Sequence, residues 1–84
     1  GGVGAETRQT LENIKAVLEQ AGSSMSSIIK VGVFLKDIKD FDEMNKVYGT
    51  FFDADDYPAR SAVAVAGLAL GAHVEIECSA VAEK

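Results

Sequence analysis

The sequence predicts a single α+β domain over residues 1–84, in which a mixed β-sheet has two helices packed on one face. Three observations predict this fold. Two segments have apolar residues at helical spacing, three others are rich in apolar and β-branched residues or alternate in polarity, and their order is helix-strand-helix-strand-strand. Because a chain of 84 residues buries only a modest share of its surface, we expect a partner subunit to add stability.

The first helix is predicted over about residues 5–20, after a loop at residues 1–4. Its apolar side chains recur every three or four residues, at Leu11, Ile14, Leu18 and Ala21. Most of the charged side chains fall elsewhere, which is typical of an amphipathic helix with one buried stripe. Gly22 is well placed to end this helix in a left-handed conformation.

A strand and a second helix are predicted next. Residues 28–35 form an almost entirely apolar run, which suits a strand in the middle of a sheet or covered on both faces. Asp40, followed three residues later by Glu43, has the layout of an N-cap with a capping box, so a helix is predicted to begin there. Its apolar face is expected to comprise Met44, Val47, Tyr48 and Phe51. Residues 53–56 are predicted to form an acidic loop.

The last two strands are predicted over residues 60–66 and 73–82. The six residues between them have a glycine near each end, which indicates an antiparallel hairpin. Side chains alternate along a strand, so the second of these strands has two different faces. One face is predicted to contain Val74, Ile76, Cys78 and Ala80, and the other Glu75, Glu77 and Ser79.

Composition and charge narrow the classes of function. The net charge of −5 argues against a broad nucleic-acid surface, which requires a basic face. No run approaches the length of a membrane span, and no secretory leader pattern is visible. The single cysteine, Cys78, fits a reducing compartment, which is the cytoplasm or an organelle matrix. No residues have metal-ligand spacing, so we expect no metal site, and no glycine-rich phosphate loop follows a strand.

The main candidate site combines Arg60, which follows Pro58 where a loop enters a strand, with the acids Glu75 and Glu77 on the next strand. A guanidinium presents a planar fork of donors that binds a carboxylate through two hydrogen bonds. A glutamate held nearby can transfer a proton or orient water. These residues indicate a site for a small acid. The alternative is a structural salt bridge between Arg60 and either of the two glutamates or an acid within residues 53–56.

Several segments, in matching order, resemble one protein family. Residues 6–18 look like its first helix, and residues 31–41 with 44–48 look like its middle strand, turn and second helix. Its C-terminal signature resembles two segments, Tyr57-Pro58-Ala59-Arg60-Ser61-Ala62-Val63 and His73-Val74-Glu75-Ile76-Glu77. The family is RidA, also called YjgF or endoribonuclease L-PSP. The resemblance extends from Ala5 to Ala82, essentially the whole chain.

The resemblance implies the same layers of helix and sheet, with one departure. The family's sheet begins with strands before its first helix, whereas this sequence starts close to that helix. We therefore expect an N-terminally truncated domain with three strands in place of about six. The resemblance also implies a homotrimer whose ligand pockets lie in clefts between subunits, with no cofactor.

The resemblance further implies an enzyme, a deaminase that hydrolyses reactive enamine and imine intermediates of the 2-aminoacrylate type to 2-keto acids and ammonia. By the family pattern, Arg60 binds the substrate carboxylate and Glu75 positions or activates the attacking water. Asn45 and Ala62 are expected to border the pocket. Ala62 stands where many members have a cysteine, so chemistry at this position does not use a thiolate.

Two other functions stay open. The family strands that this sequence lacks contribute residues to the pocket, so a non-catalytic module that binds small carboxylates, or a regulatory module, is an alternative. The family's older name implies an endoribonuclease, which the acidic charge and the single histidine disfavour. Among the remaining residues, Cys78 is expected to be an inert core residue, Tyr48 a core residue with a hydrogen-bonded hydroxyl, and His73 and Glu77 surface residues.

Overall fold

The computed structural model describes residues 2–53 and 57–81, which contain two α-helices and three β-strands. The elements are α1 (Val3–Gln20), β1 (Ile28–Leu35), α2 (Phe41–Gly49), β2 (Ala59–Ala64) and β3 (Val74–Ala80). Their order and the α+β class agree with the sequence-based prediction, so the predicted fold class is confirmed. Most of the predicted acidic loop, at residues 54–56, and the predicted end of the last strand at residue 82 lie outside the described residues.

Strand β1 lies in the middle of the sheet, whose order is β2-β1-β3. It runs parallel to β2, with Val31 opposite Arg60, and antiparallel to β3, with Val31 opposite Cys78. The predicted hairpin between the last two strands is therefore wrong, because β1 separates them. The strand richest in apolar residues takes the position with neighbours on both sides, where its backbone groups are paired and its side chains are best covered.

The connection from β2 to β3 passes the carboxyl end of β1. The backbone N–H of Val65 donates to the carbonyl of Leu35 at 2.8 Å, and the N–H of Lys36 donates to the carbonyl of His73 at 3.0 Å. These bonds hold the two ends of the connection on opposite sides of β1. A connection of this length can therefore pass over the end of one strand as readily as it can form a hairpin.

Both helices cover the same face of the sheet. Alternate β1 side chains, at Val31, Val33 and Leu35, are buried beneath them. The remaining buried apolar side chains are those of Val3, Leu11, Ile28, Met44, Tyr48, Val74 and Ile76. Full burial of each such side chain stabilises the fold by about 1.5–3 kcal/mol. No helix within residues 2–53 and 57–81 covers the other face of the sheet.

Helix α1 begins at Val3, two residues before its predicted start, and a side chain of α2 contacts this end. The N–H of Gly4 donates to Oε2 of Glu43 at 3.0 Å. This bond satisfies one of the unpaired N–H groups at the start of α1 and places a negative charge at the positive end of the helix dipole. The end of α1 is as predicted, since Gly22 has a φ of 81°.

Helix α2 begins where the sequence predicted, but without the predicted capping box. Asp40 stands at the N-cap and makes no side-chain capping bond. The helix ends at Gly49, so Phe51, predicted on its apolar face, packs against the core just beyond the helix.

Candidate functional site

Arg60 is the second residue of β2 and lies on the helix-covered side of this edge strand. Its partner across the parallel ladder is the buried Val31, and paired residues of neighbouring strands share a face of the sheet. From this position the side chain reaches α2, where Nη1 of Arg60 donates to Oδ1 of Asn45 at 2.5 Å. A neutral amide therefore fixes one corner of the guanidinium. Arg60 as a residue remains exposed.

Two aromatic rings of α2 flank the same guanidinium. Its Cζ lies 4.7 Å from the centre of the Tyr48 ring and 5.4 Å from the centre of the Phe41 ring. Both distances fall within the range in which a cation is attracted to the face of a ring. Phe41, Asn45 and Tyr48 are spaced by four and three residues, which places them on one side of a helix. Helix α2 therefore presents three groups that orient Arg60.

A cleft of about 340 Å³ opens beside Arg60. It is lined by Asn45, Tyr48, Gly49, Tyr57, Pro58 and Arg60. The Tyr57 side chain is 53% exposed, and its ring centre lies 6.4 Å from that of Tyr48 and 6.3 Å from that of Phe52. The cleft thus has a cationic end and an aromatic side.

The predicted structural alternative for Arg60 was a salt bridge. Within residues 2–53 and 57–81, no carboxylate oxygen lies within 4.0 Å of its guanidinium. Glu75 and Glu77 therefore do not pair with Arg60, and the acids at residues 55 and 56 lie outside the described range. The positive charge of Arg60 faces the cleft without an acidic partner from the described residues.

Glu75 lies on the opposite face of the sheet from Arg60. It pairs with Phe34 across the antiparallel ladder, and both are on the face that no helix covers. Strand β1 also separates the two residues, and two strand spacings amount to about 10 Å. A single chain does not bring Arg60 and Glu75 together. Ala62, by contrast, is on the same face as Arg60, two residues further along β2, and is partly buried.

Two core side chains near the site, those of Tyr48 and Cys78, have raised pKa values. Burial raises the pKa of Tyr48, against the opposing effect of the nearby Arg60 charge. The Tyr48 hydroxyl is buried and has no hydrogen-bond partner among the described residues, so the predicted hydrogen bond is wrong although the predicted core position is right. Burial also raises the pKa of the Cys78 thiol, which keeps it protonated and poorly nucleophilic.

Sequence reasoning missed two groups of interactions. The roles of Phe41 and Tyr57 were not foreseen, because an aromatic side chain at helical spacing or before a proline is equally typical of the core. The second is a contact between α1 and the start of β3. The backbone N–H of His73 donates to Oε1 of Glu6 at 2.7 Å, and the ring Nδ1 of His73 contacts Oε2. His73, predicted at the surface, is 45% exposed.

The part of the chain that the structure describes contains neither a cluster of metal ligands nor a helix that could span a membrane. No three of its His, Cys, Asp and Glu side chains are grouped as a metal site would require. None of its helices is long and apolar enough to cross a membrane.

The fold and the cleft define a class of protein: an α+β domain with a mixed three-stranded sheet, two helices on one face and an arginine at the mouth of a cleft. A family model described as Endoribonuclease L-PSP matches residues 1–82. The chain belongs to this family, which is also known as the RidA/YjgF family.

Similar proteins include two curated relatives. The chain is 49% identical over 83 residues to the RutC family protein PH0854 of Pyrococcus horikoshii, covering 99% of the chain and 65% of that protein. It is 46% identical over 81 residues to the 2-iminobutanoate/2-iminopropanoate deaminase of Salmonella typhimurium, covering 94% of the chain and 63% of that protein. The chain therefore spans just under two thirds of the length of these relatives.

A solved structure, that of the yeast protein YEO7, has the same fold. It superposes with a TM-score of 0.94 at 43% sequence identity, covering 99% of this chain and 66% of the yeast chain.

Proposed function

We propose that the protein is a deaminase that hydrolyses reactive 2-imino acids, and the 2-aminoacrylate-type enamines that give rise to them, to 2-keto acids and ammonia. The observation that supports this most directly is the environment of Arg60. Its guanidinium is oriented by Asn45 and two aromatic rings at the mouth of a cleft, with no acidic partner among the described residues. The Salmonella typhimurium relative, named for this reaction, supports the same assignment.

In this proposal Arg60 binds the carboxylate of the substrate. Asn45 accepts a hydrogen bond from Nη1 and leaves the N–H groups of Nη2 and Nε for a ligand. A carboxylate fits such a pair of donors through two parallel bonds. Because α2 already fixes the guanidinium, less side-chain entropy is lost when the ligand binds. Asn45 orients the arginine. Ala62 follows it by two residues on the same face of β2 and is not among the described residues that line the cleft.

Hydrolysis requires a water molecule at the imine carbon. Glu75 orients this water and accepts its proton as the oxygen attacks the C=N carbon. The nitrogen is then protonated and leaves as ammonia when the carbonyl forms, so the imino acid and one water give a 2-keto acid and ammonia. The imine carbon is already electrophilic, and a positioned acid and an anchored carboxylate suffice without a cofactor.

The position of Glu75 favours a site shared between subunits. Since Glu75 lies on the opposite face of the sheet from Arg60, a Glu75 that acts on the same substrate as Arg60 would come from a neighbouring chain. We therefore propose a homotrimer with pockets between subunits. The small core of the chain supports association.

The lone cysteine supports a reducing compartment, and we place the protein in the cytoplasm or an organelle matrix.

The test is an assay of 2-iminopropionate hydrolysis with wild type and Arg60→Ala. We expect kcat/KM to fall about 100-fold or more, because a charge-assisted bond pair to the substrate is lost. The matched control is Arg8→Ala, since Arg8 is also exposed and lies 6.0 Å from the Phe51 ring, away from the cleft. Equal rates for wild type and Arg60→Ala would remove Arg60 from the mechanism.

A binding or regulatory module is the second candidate, and the separation of Arg60 from Glu75 within one chain favours it. Calorimetry with 2-ketobutyrate distinguishes the two candidates. Binding that depends on Arg60, without turnover of 2-iminopropionate, identifies a binding module. Absence of both signals contradicts both proposals. We do not propose a ribonuclease, because a net charge of −5 gives no support for RNA binding.

A further inference from the structure

The cleft beside Arg60 is large for a three- or four-carbon acid. Its volume of about 340 Å³ falls within the range of pockets that hold drug-sized ligands. A carboxylate bound to Arg60 occupies only the cationic end. In the proposed shared pocket, part of the remaining cleft receives Glu75 of the neighbouring chain, and the part beside Tyr57 receives the substituent at the third carbon of the acid.

The cleft also has an aromatic side, formed by Tyr48 and Tyr57. Tyr57 stands half exposed there, with its ring 6.4 Å from that of Tyr48. Pro58 restricts the backbone of Tyr57 to extended conformations and so limits the directions in which the ring points. An exposed aromatic surface beside a cation suits a ligand with an anionic head and an apolar body.

Gly49, the last residue of α2, allows Tyr57 to approach the helix. A methyl group at Gly49 would lie 3.3 Å from the Tyr57 hydroxyl, closer than most real contacts, so the tyrosine would have to move. Gly49 has the negative φ of an ordinary helical residue. The lack of a side chain at Gly49 therefore makes room for Tyr57 and is not required by a turn.

We propose that Tyr57 is a specificity-determining residue, and that the cleft accepts 2-imino acids with branched or aromatic side chains in preference to 2-iminopropionate. The reaction itself rests on the proposed deaminase function. The choice of ligand rests on Tyr57, on Pro58 and on the close approach of Tyr57 to Gly49.

The experiment measures binding of stable 2-keto acids, in which an oxygen replaces the imine nitrogen. Calorimetry of wild type with pyruvate and with 4-methyl-2-oxopentanoate should give at least about tenfold tighter binding of the larger acid, which has three more carbons to bury. Tyr57→Ala should reduce this ratio to about threefold or less. Tyr57→Phe, the matched control, keeps the ring and should keep the ratio.

Gly49→Ala gives a second, independent variant. Alanine favours the helix over glycine, so the protein should remain folded by circular dichroism. Because the new methyl group has to push the Tyr57 hydroxyl away by a few tenths of an ångström, the preference for 4-methyl-2-oxopentanoate should fall, but by less than in Tyr57→Ala. A ratio below about twofold in wild type overturns the proposal, and so does an unchanged ratio in both Tyr57→Ala and Gly49→Ala.

The outcome separates this inference from the proposed function. Selective, Tyr57-dependent binding without hydrolysis of any imine contradicts the deaminase and supports the ligand class. Hydrolysis of 2-iminopropionate with no preference between the two keto acids supports the deaminase and overturns the role of Tyr57. In either case Arg60→Ala should abolish binding of both acids if the carboxylate is bound as proposed.

Discussion

Arg60 is oriented by a neutral hydrogen-bond acceptor and two aromatic rings, which differs from the usual pairing of an arginine with an acid. An acid at this distance would neutralise the guanidinium and compete with an incoming carboxylate. The amide of Asn45 fixes the direction of the fork and leaves its charge in place. The rings of Phe41 and Tyr48 attract the cation without taking up its N–H donors.

This arrangement predicts a strong effect of Asn45→Asp. The new carboxylate would pair with Arg60, and the dissociation constant for 2-ketobutyrate should rise about tenfold or more, measured by calorimetry. Asn45→Ala, the control, removes the orienting bond without adding a competitor and should weaken binding only about threefold. Both variants should unfold near the wild-type temperature because Asn45 is exposed. Wild-type affinity in Asn45→Asp would show that this contact does not position Arg60.

At the scale of single residues, the sequence predicted the candidate site through its resemblance to a family. The resemblance identified Arg60, Asn45, Ala62 and Glu75, and the structure places the first three on or facing one side of the sheet. Phe41 and Tyr57 were missed for a physical reason. Aromatic side chains bury apolar area in a core and flank a ligand site with the same spacing, so sequence alone does not distinguish the two roles.

At the level of elements, α1 and β3 are joined through Glu6 and His73, residues 67 positions apart. The Glu6 carboxylate accepts the backbone N–H of His73 at the start of β3 and also contacts its imidazole ring. The backbone hydrogen bond is the largest cause of a lowered pKa for Glu6, and the ring contact adds to it. The pair holds the entry to β3 against the first turn of α1.

The lowered pKa of Glu6 predicts how stability depends on pH. The folded pKa lies below the unfolded value, so the contribution is complete above the unfolded pKa of about 4.3 and is lost as pH falls through the folded pKa. Glu6→Gln should therefore cost about 1 kcal/mol at pH 7, or about 5 °C in Tm, and the difference from wild type should shrink below pH 4.

Thermal melts from pH 7 to pH 3 test this, with Glu12→Gln as the control. Glu12 is exposed on the same helix, and its substitution should change stability by less than about 0.5 kcal/mol. A cost for Glu6→Gln that stays constant down to pH 3 would mean that the carboxylate charge is not what stabilises the contact.

The elements were predicted far better than their arrangement. Local patterns predicted α1, β1 and the start of α2, because periodicity and turn residues act within a few positions. Strand pairing is decided by contacts between distant segments. The apolar run at Ile28–Leu35 indicated a central strand, and a central β1 is incompatible with a hairpin between β2 and β3. The six residues between β2 and β3 contain two glycines and locally favoured a hairpin. The requirement to cover β1 on both sides outweighed this local preference.

For the whole molecule, the sheet order places the proposed anchor and the proposed base on different surfaces. Arg60 lies with α2 on the covered face, and Glu75 lies on the face without helices. If both act on one substrate, two chains must meet so that the open face of one approaches the helix-side edge of the other. Such a head-to-tail contact closes into a ring when the rotation is right, and a trimer is one such ring.

A mixture of two inactive variants tests this arrangement. Arg60→Ala and Glu75→Gln should each be inactive alone. After they are unfolded together in equal amounts and refolded, an intact pocket needs the Glu75→Gln chain to supply Arg60 and the Arg60→Ala chain to supply Glu75. Each position is filled by the required chain half of the time, so about a quarter of wild-type activity should return, with a mass by light scattering of about 27 kDa, three times the 8.9 kDa chain.

The controls for the mixture are the two variants unfolded and refolded separately, which should stay inactive at the same total concentration. If Arg60 and Glu75 acted within one chain, every subunit in the mixture would lack one of them, and no activity would return. A mass of a single chain at micromolar concentration would exclude a shared pocket. Recovery near a quarter, in contrast, requires that the two residues come from different subunits.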